Sequence, residues 1–138
     1  MSLIMRKFVI AVFTPALLLW SMSAAAHHSA AQFDLSKSIT LHGVVKEFDV
    51  RNPHTRAVIT VTDAKGTRDI EYEGHSASHF IRAGYTSDMV HAGDKITIVV
   101  SPRKEGKDGG FLQAFSINGH LINPFGHKPD TANQAKQK

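Results

Sequence analysis

The chain has nine histidines and no cysteine, so any transition-metal chemistry must use imidazole and carboxylate ligands rather than thiolate. Two of the histidines are neighbours, His27 and His28, in the stretch AAAHHS. A third, His54, follows Asn52-Pro53, where the proline fixes a turn and so aims the imidazole reproducibly. With His27 as the first residue of a processed chain, its amino nitrogen and ring Nδ1 chelate one ion. A further imidazole then completes a T-shaped nitrogen set suited to Cu(II). With Ala26 first instead, His28 stands third, and the terminal amine, two amides and its imidazole suit square-planar Cu(II) or Ni(II). The metal reading is therefore copper, or another divalent ion, held by His27, His28 and His54. Against it stands a plainer reading: polar residues after a leader, and a turn whose Asn52 and His54 satisfy backbone groups.

The remaining candidates offer less. His75 and His79 are four residues apart, a spacing that brings two imidazoles together on a helix, although capping of the helix start is the simpler account. His42, His91, His120 and His127 read as surface residues. Asp69, Glu71 and Glu73 alternate along one strand face, the pattern of a solvated face and a poor calcium site without a glycine-rich loop. No HExxH, GxSxG or phosphate-loop pattern occurs, so no catalytic set is recognised and an enzyme is not expected. A copper-dependent oxidase using a terminal histidine is the third-ranked reading.

Residues 1–26 have the layout of a secretory leader: Arg6-Lys7, the apolar run FVIAVFTPALLLW, then SMSAAA. The run is roughly 13 residues, short of the ~20 that span a bilayer, and Pro15 interrupts it. Cleavage leaves about 110 residues, one domain's worth, with no stable membrane insertion expected afterwards. The chain carries 16 Lys and Arg against 12 Asp and Glu. Arg6 and Lys7 leave with the leader, so the remainder is nearly balanced, and nucleic acid is not an expected partner. Export to the periplasm or outside the cell, with an envelope protein or small molecule as partner, is the expectation. Without disulfides, stability has to come from an apolar core.

Residues 27–38 read as an extended entry. Residues 39–50 are β-branched and apolar and read as a long strand with a bulge at Gly43. After the Asn52-Pro53 turn, Ala57, Ile59 and Val61 alternate inward. A tight connection at residues 64–67 follows, and then Ile70 and Tyr72 point inward. The period changes at residues 76–85, where Ala77, Phe80, Ile81 and Tyr85 give a short helix with Ser76 or Ser78 as its cap and Gly84 at its end. A strand with Ile96, Ile98 and Val100 on one side follows. The loop KEGKDGG and a last strand in FLQAFSING come next, with HLINP extending it. The order of three strands, helix and two strands predicts a mainly β fold. The specific expectation is a small five-stranded OB-like barrel over residues 39–123, with the helix between strands 3 and 4. An open sheet with one covering helix is the rival. Residues 124–138 have little to bury and predict a disordered tail.

Several motifs recur together in order: AHHS after the leader, FD at Phe33-Asp34, NPH at residues 52–54, EYEG with a helix ending in RAGYT, and a GD turn at Gly93-Asp94. As an ordered set over residues 26–123 they resemble a family of short exported bacterial proteins known only as a domain of unknown function. The resemblance implies a secreted or periplasmic β-barrel-like domain and assigns no activity. The chain departs from that pattern at Ala30, at Thr55-Arg56 and at His75. His75 stands where a small residue is usual and adds an imidazole.

Overall fold

A computed structural model describes residues 30–126 of the chain. The leader read at residues 1–26, His27, His28, His127 and the tail from residue 127 lie outside the described residues. The chain divides into two units, Met1–Gln32 and Phe33–Lys138. Of the first, only residues 30–32 are described, and Ala30 and Ala31 are helical.

The second unit is a barrel. Its strands are β1 (Ile39–Asp49), β2 (Arg56–Asp63), β3 (Gly66–Gly74), β4 (Lys95–Pro102), β5 (Gly110–Ile117) and a short β6 (His120–Ile122). The helix α1 (Ala77–Arg82) lies between β3 and β4. β1 pairs antiparallel with β2 on one side and with β4 on the other. β2 pairs with β3, and β4 with β5. A parallel seam of β3 with β5, from Tyr72↔Gly110 to Gly74↔Leu112, closes the circle. Five strands thus form a closed barrel, which is the architecture expected from the order of elements.

The long first strand serves both halves of the barrel. Ile39 to Val44 pair with β4, while Gly43 to Asp49 pair with β2. The bulge expected at Gly43 lies instead between Val45 and Glu47, where the register with β2 shifts. Gly43 has a different reason to be glycine. A Cβ there would stand 2.5 Å from Ile59 Cγ2 and 2.7 Å from the Thr60 carbonyl oxygen, so β2 can approach only a bare backbone.

Alternation fills the interior as expected: Ala57, Ile59, Val61, Ile70, Tyr72, Ile96, Ile98 and Val100 are all buried. α1 contributes one residue to this core. Phe80 is fully buried and its ring lies 5.6 Å from that of Phe115. Ile81, expected on the same face, is 59% exposed, because a helix this short inserts a single side chain. Ser76 is the N-cap, yet its hydroxyl bonds Ser78 Oγ and His79 Nδ1 and caps no backbone N–H. Gly84, with φ +100°, ends the helix as expected.

Two boundaries differ from the sequence reading. The final strand is not continuous, because Asn118 and Gly119 both take positive φ and turn the chain back as β6 against β5. The entry segment is not simply extended either. Phe33 forms a bridge with Arg103, and Asp34 N–H donates to the Pro102 carbonyl at 2.8 Å. Asp34 Oδ1 then accepts from both the N–H and the hydroxyl of Ser36, which makes a turn. Phe33 is buried against Phe111, and the Arg103 guanidinium lies over its ring at 5.3 Å. Among the described residues no helix is long and apolar enough to cross a membrane.

Candidate functional site

The loop from β1 to β2 carries His54 and packs on the segment that leaves β3. Thr55 N–H donates to the His75 carbonyl at 3.0 Å, Gly74 N–H to the Thr55 carbonyl at 2.8 Å, and Ala77 N–H to the Arg51 carbonyl at 3.0 Å. These bonds hold the loop, whose Asn52-Pro53 peptide is cis, rigidly beside the end of β3. His54 is thereby placed with Nδ1 3.3 Å from the Gly74 carbonyl oxygen and 3.4 Å from Glu73 Oε1. Both partners can only accept, so Nδ1 carries the proton. In the neutral ring the lone pair is then on Nε2. The side chain is 36% exposed and borders a groove of about 460 Å³ between residues 51–56 and 71–73. The Thr55 hydroxyl, buried beside it, has no hydrogen-bond partner among the described residues.

The three strand carboxylates each face a cation or imidazole. Asp69 pairs with Lys46 and accepts from the Thr60 hydroxyl, Glu71 accepts from Arg56 Nε at 2.9 Å, and Glu73 faces His54. Arg56 also pairs with Glu47 across β1. The Lys46 ammonium and the Thr60 hydroxyl hold the Asp69 carboxyl below the usual carboxylate range. The solvated-face reading of this row therefore holds, with its charges neutralised across β1, β2 and β3.

His75 and His79 do come together, with ring centroids 5.5 Å apart. Both rings are engaged at the start of the helix. His79 Nδ1 meets the Ser76 hydroxyl at 2.8 Å, and His75 Nε2 donates to Gln113 Oε1 at 3.0 Å. Gln113, which is buried, donates in turn to Ser101 Oγ at 3.0 Å. Phe111 and Phe125 flank the His75 ring at 4.7 and 4.5 Å. Phe125 lies within the stretch read as tail, yet it packs on both imidazoles. His42 meets Thr97 Oγ1 at 2.9 Å on the surface, His91 stands 3.7 Å from Asp94, and His120 is exposed. No group of three or more His, Asp or Glu side chains among the described residues is arranged to hold a metal. Of the predicted set, His54 is the member whose surroundings are described.

Residues 16–113 match the family described as "Family of unknown function (DUF6152)". The chain belongs to this family. DUF6152 carries no activity in its description, so the chemistry has to be read from the side chains. No curated protein matches the sequence. One similar solved structure is described as "Crystal structure of the ZRD-deleted mutant of TiaS in complex with agmatine". The likeness has 18% identity and a TM-score of 0.42, over 68% of this chain and 24% of that one.

Proposed function

We propose that this DUF6152 protein is an exported, non-enzymatic binding module that holds a divalent transition metal, copper first, between His27, His28 and His54. The observation that carries the reading is the tautomer of His54. A ligating histidine characteristically donates its other ring N–H to a carbonyl or carboxylate, which fixes the ring and raises the basicity of the ligating nitrogen. Gly74 and Glu73 supply both kinds of acceptor to Nδ1. Nε2 is left as a pre-oriented ligand, and the histidine pair beside the expected cut supplies the nitrogens to complete the set. The leader layout supports an envelope location, where copper is encountered and where a cysteine-free chain gives no thiolate to oxidise.

The test is N-terminal sequencing of the secreted protein, followed by Cu(II) titration read by EPR. One equivalent with nitrogen hyperfine structure is expected. His54→Ala is expected to lose one nitrogen and about tenfold or more in affinity. An unchanged titration in both His54→Ala and the His27→Ala/His28→Ala double variant overturns the metal reading. The groove beside His54, with the partnerless Thr55 hydroxyl on its wall, favours the second reading: a metal-free site for a small molecule or envelope partner. That reading gains if copper binds no tighter than to a histidine-free variant.

A further inference from the structure

A second opening lies between the β2–β3 turn and the loop joining β4 to β5. Its cavity holds about 230 Å³, below the ~300 Å³ at which drug-sized pockets begin. The floor is the edge of the barrel core: Ile39 and Leu41, which are only half-buried, with Val61, Ile70 and the Tyr72 ring. Tyr72 is 1% exposed, yet its hydroxyl makes no hydrogen bond among the described residues. The charges that act on that hydroxyl are those of Asp108, Arg68 and Asp63, all of which also line the cavity. The hydroxyl itself is not fully enclosed, so it opens to the cavity, where an acceptor that enters can bond it.

The charge of the rim selects what that is. Lys65, Arg68, Arg103 and Lys107 line the opening against only Asp63 and Asp108. Both carboxylates are committed to Arg68, whose guanidinium meets Asp63 at 2.7 Å and Asp108 at 2.6 Å. Lys65 stands 3.7 Å from Asp108, and Lys107 pairs with Glu105, both of that pair more than 70% exposed. Solvated pairs of this kind open at little cost, so the two lysines are available to an incoming anion. Burial pushes the Tyr72 hydroxyl up to about 12, which keeps it protonated and makes it a donor.

We infer that this cavity binds a small monocarboxylate with a compact apolar body. The body lies on Ile39 and Leu41, an acceptor atom takes the Tyr72 hydroxyl proton, and the carboxylate recruits Lys65 and Lys107. The site is separate from the His54 groove and does not depend on the metal reading.

Benzoate is a suitable probe, added to the ¹⁵N-labelled secreted protein and followed by amide shifts. The shifts are expected to cluster at residues 39–41, 65–72 and 102–109, with benzamide binding several-fold more weakly. Tyr72→Phe is expected to weaken benzoate by about fivefold to tenfold while leaving the unliganded melting temperature nearly unchanged, since the hydroxyl opens to the cavity rather than bonding a protein group. Lys65→Gln/Lys107→Gln is expected to abolish the preference for benzoate over benzamide. Shifts absent or scattered over other faces, equal binding of benzamide, or undiminished binding by Tyr72→Phe would each overturn the inference.

Discussion

The chemistry at His54 depends on atoms that its own side chain does not supply. Glu73 Oε1, 3.4 Å from Nδ1, holds the proton on that nitrogen, so Glu73→Gln weakens the hold without altering Nε2, the proposed ligand atom. In the copper titration Glu73→Gln is expected to reduce affinity by about tenfold and to leave urea unfolding unchanged. Asp34 gives a prediction of a different kind. Hydrogen bonds from Ser36, then the Lys37 ammonium, lower its carboxyl from 3.8 to about 2. A depressed folded-state value means the carboxylate stabilises the fold fully above pH 3.8, and that this is lost as the pH falls towards about 2. Asp34→Asn is therefore expected to lower the melting temperature at pH 7 slightly and to flatten its fall between pH 4 and pH 2, as read by calorimetry. His54 was legible in the sequence because a proline beside it announces a fixed turn. The Tyr72 hydroxyl and Gln113 were not, since a tyrosine in an alternating strand reads as core and nothing marks a lone glutamine as a histidine's buried partner.

Among the elements, alternation identified the inward residues of β2, β3 and β4, because a strand with one face in a core has period two and no other way to satisfy it. Local steric and hydrogen-bonding details carry no such period. Gly43 suggested a bulge, but its role is close approach to Ile59 and Thr60. The bulge at Val45/Glu47 carries no glycine to betray it. The Asn118-Gly119 pair was a usable hairpin signal for β6, as its two positive φ values show. Helical spacing placed Ile81 beside Phe80, yet six residues of helix bury only one of them. Two substitutions separate these causes. Gly43→Ala, with its Cβ 2.5 Å from Ile59 Cγ2, is expected to destabilise by about 1–3 kcal/mol in urea unfolding. Ser76→Ala is expected to change stability by less than about 0.5 kcal/mol, below the ~1 kcal/mol of an ordinary cap, because the Ser76 hydroxyl bonds no backbone N–H.

At the scale of the whole molecule, the barrel is only as closed as its shortest seam. β1 and β2 pair over six positions and β2 with β3 over eight, whereas β3 and β5 meet only at Tyr72↔Gly110, Glu73↔Phe111 and Gly74↔Leu112. Parallel pairing is also slightly weaker per residue than antiparallel. Arg68 reinforces this seam from below. It reaches from β3 to Asp108 in the loop that feeds β5 while holding Asp63 on β2, so one side chain ties the two strands that close the circle. Replacing it leaves two carboxylates facing each other with only Lys65 near Asp108, and the loop is repelled from β3. In Arg68→Met, amide hydrogen exchange is therefore expected to quicken at residues 72–74 and 110–112. The β1–β2 pairs should keep their wild-type rates, because opening at the seam leaves the antiparallel ladder intact. Uniform acceleration across all strands would instead mean that the barrel opens as one unit and that the seam is not its weak point. Benzoate, if it draws Lys65 and Lys107 over the same mouth, should slow exchange at the seam in the wild type and do so less in Arg68→Met.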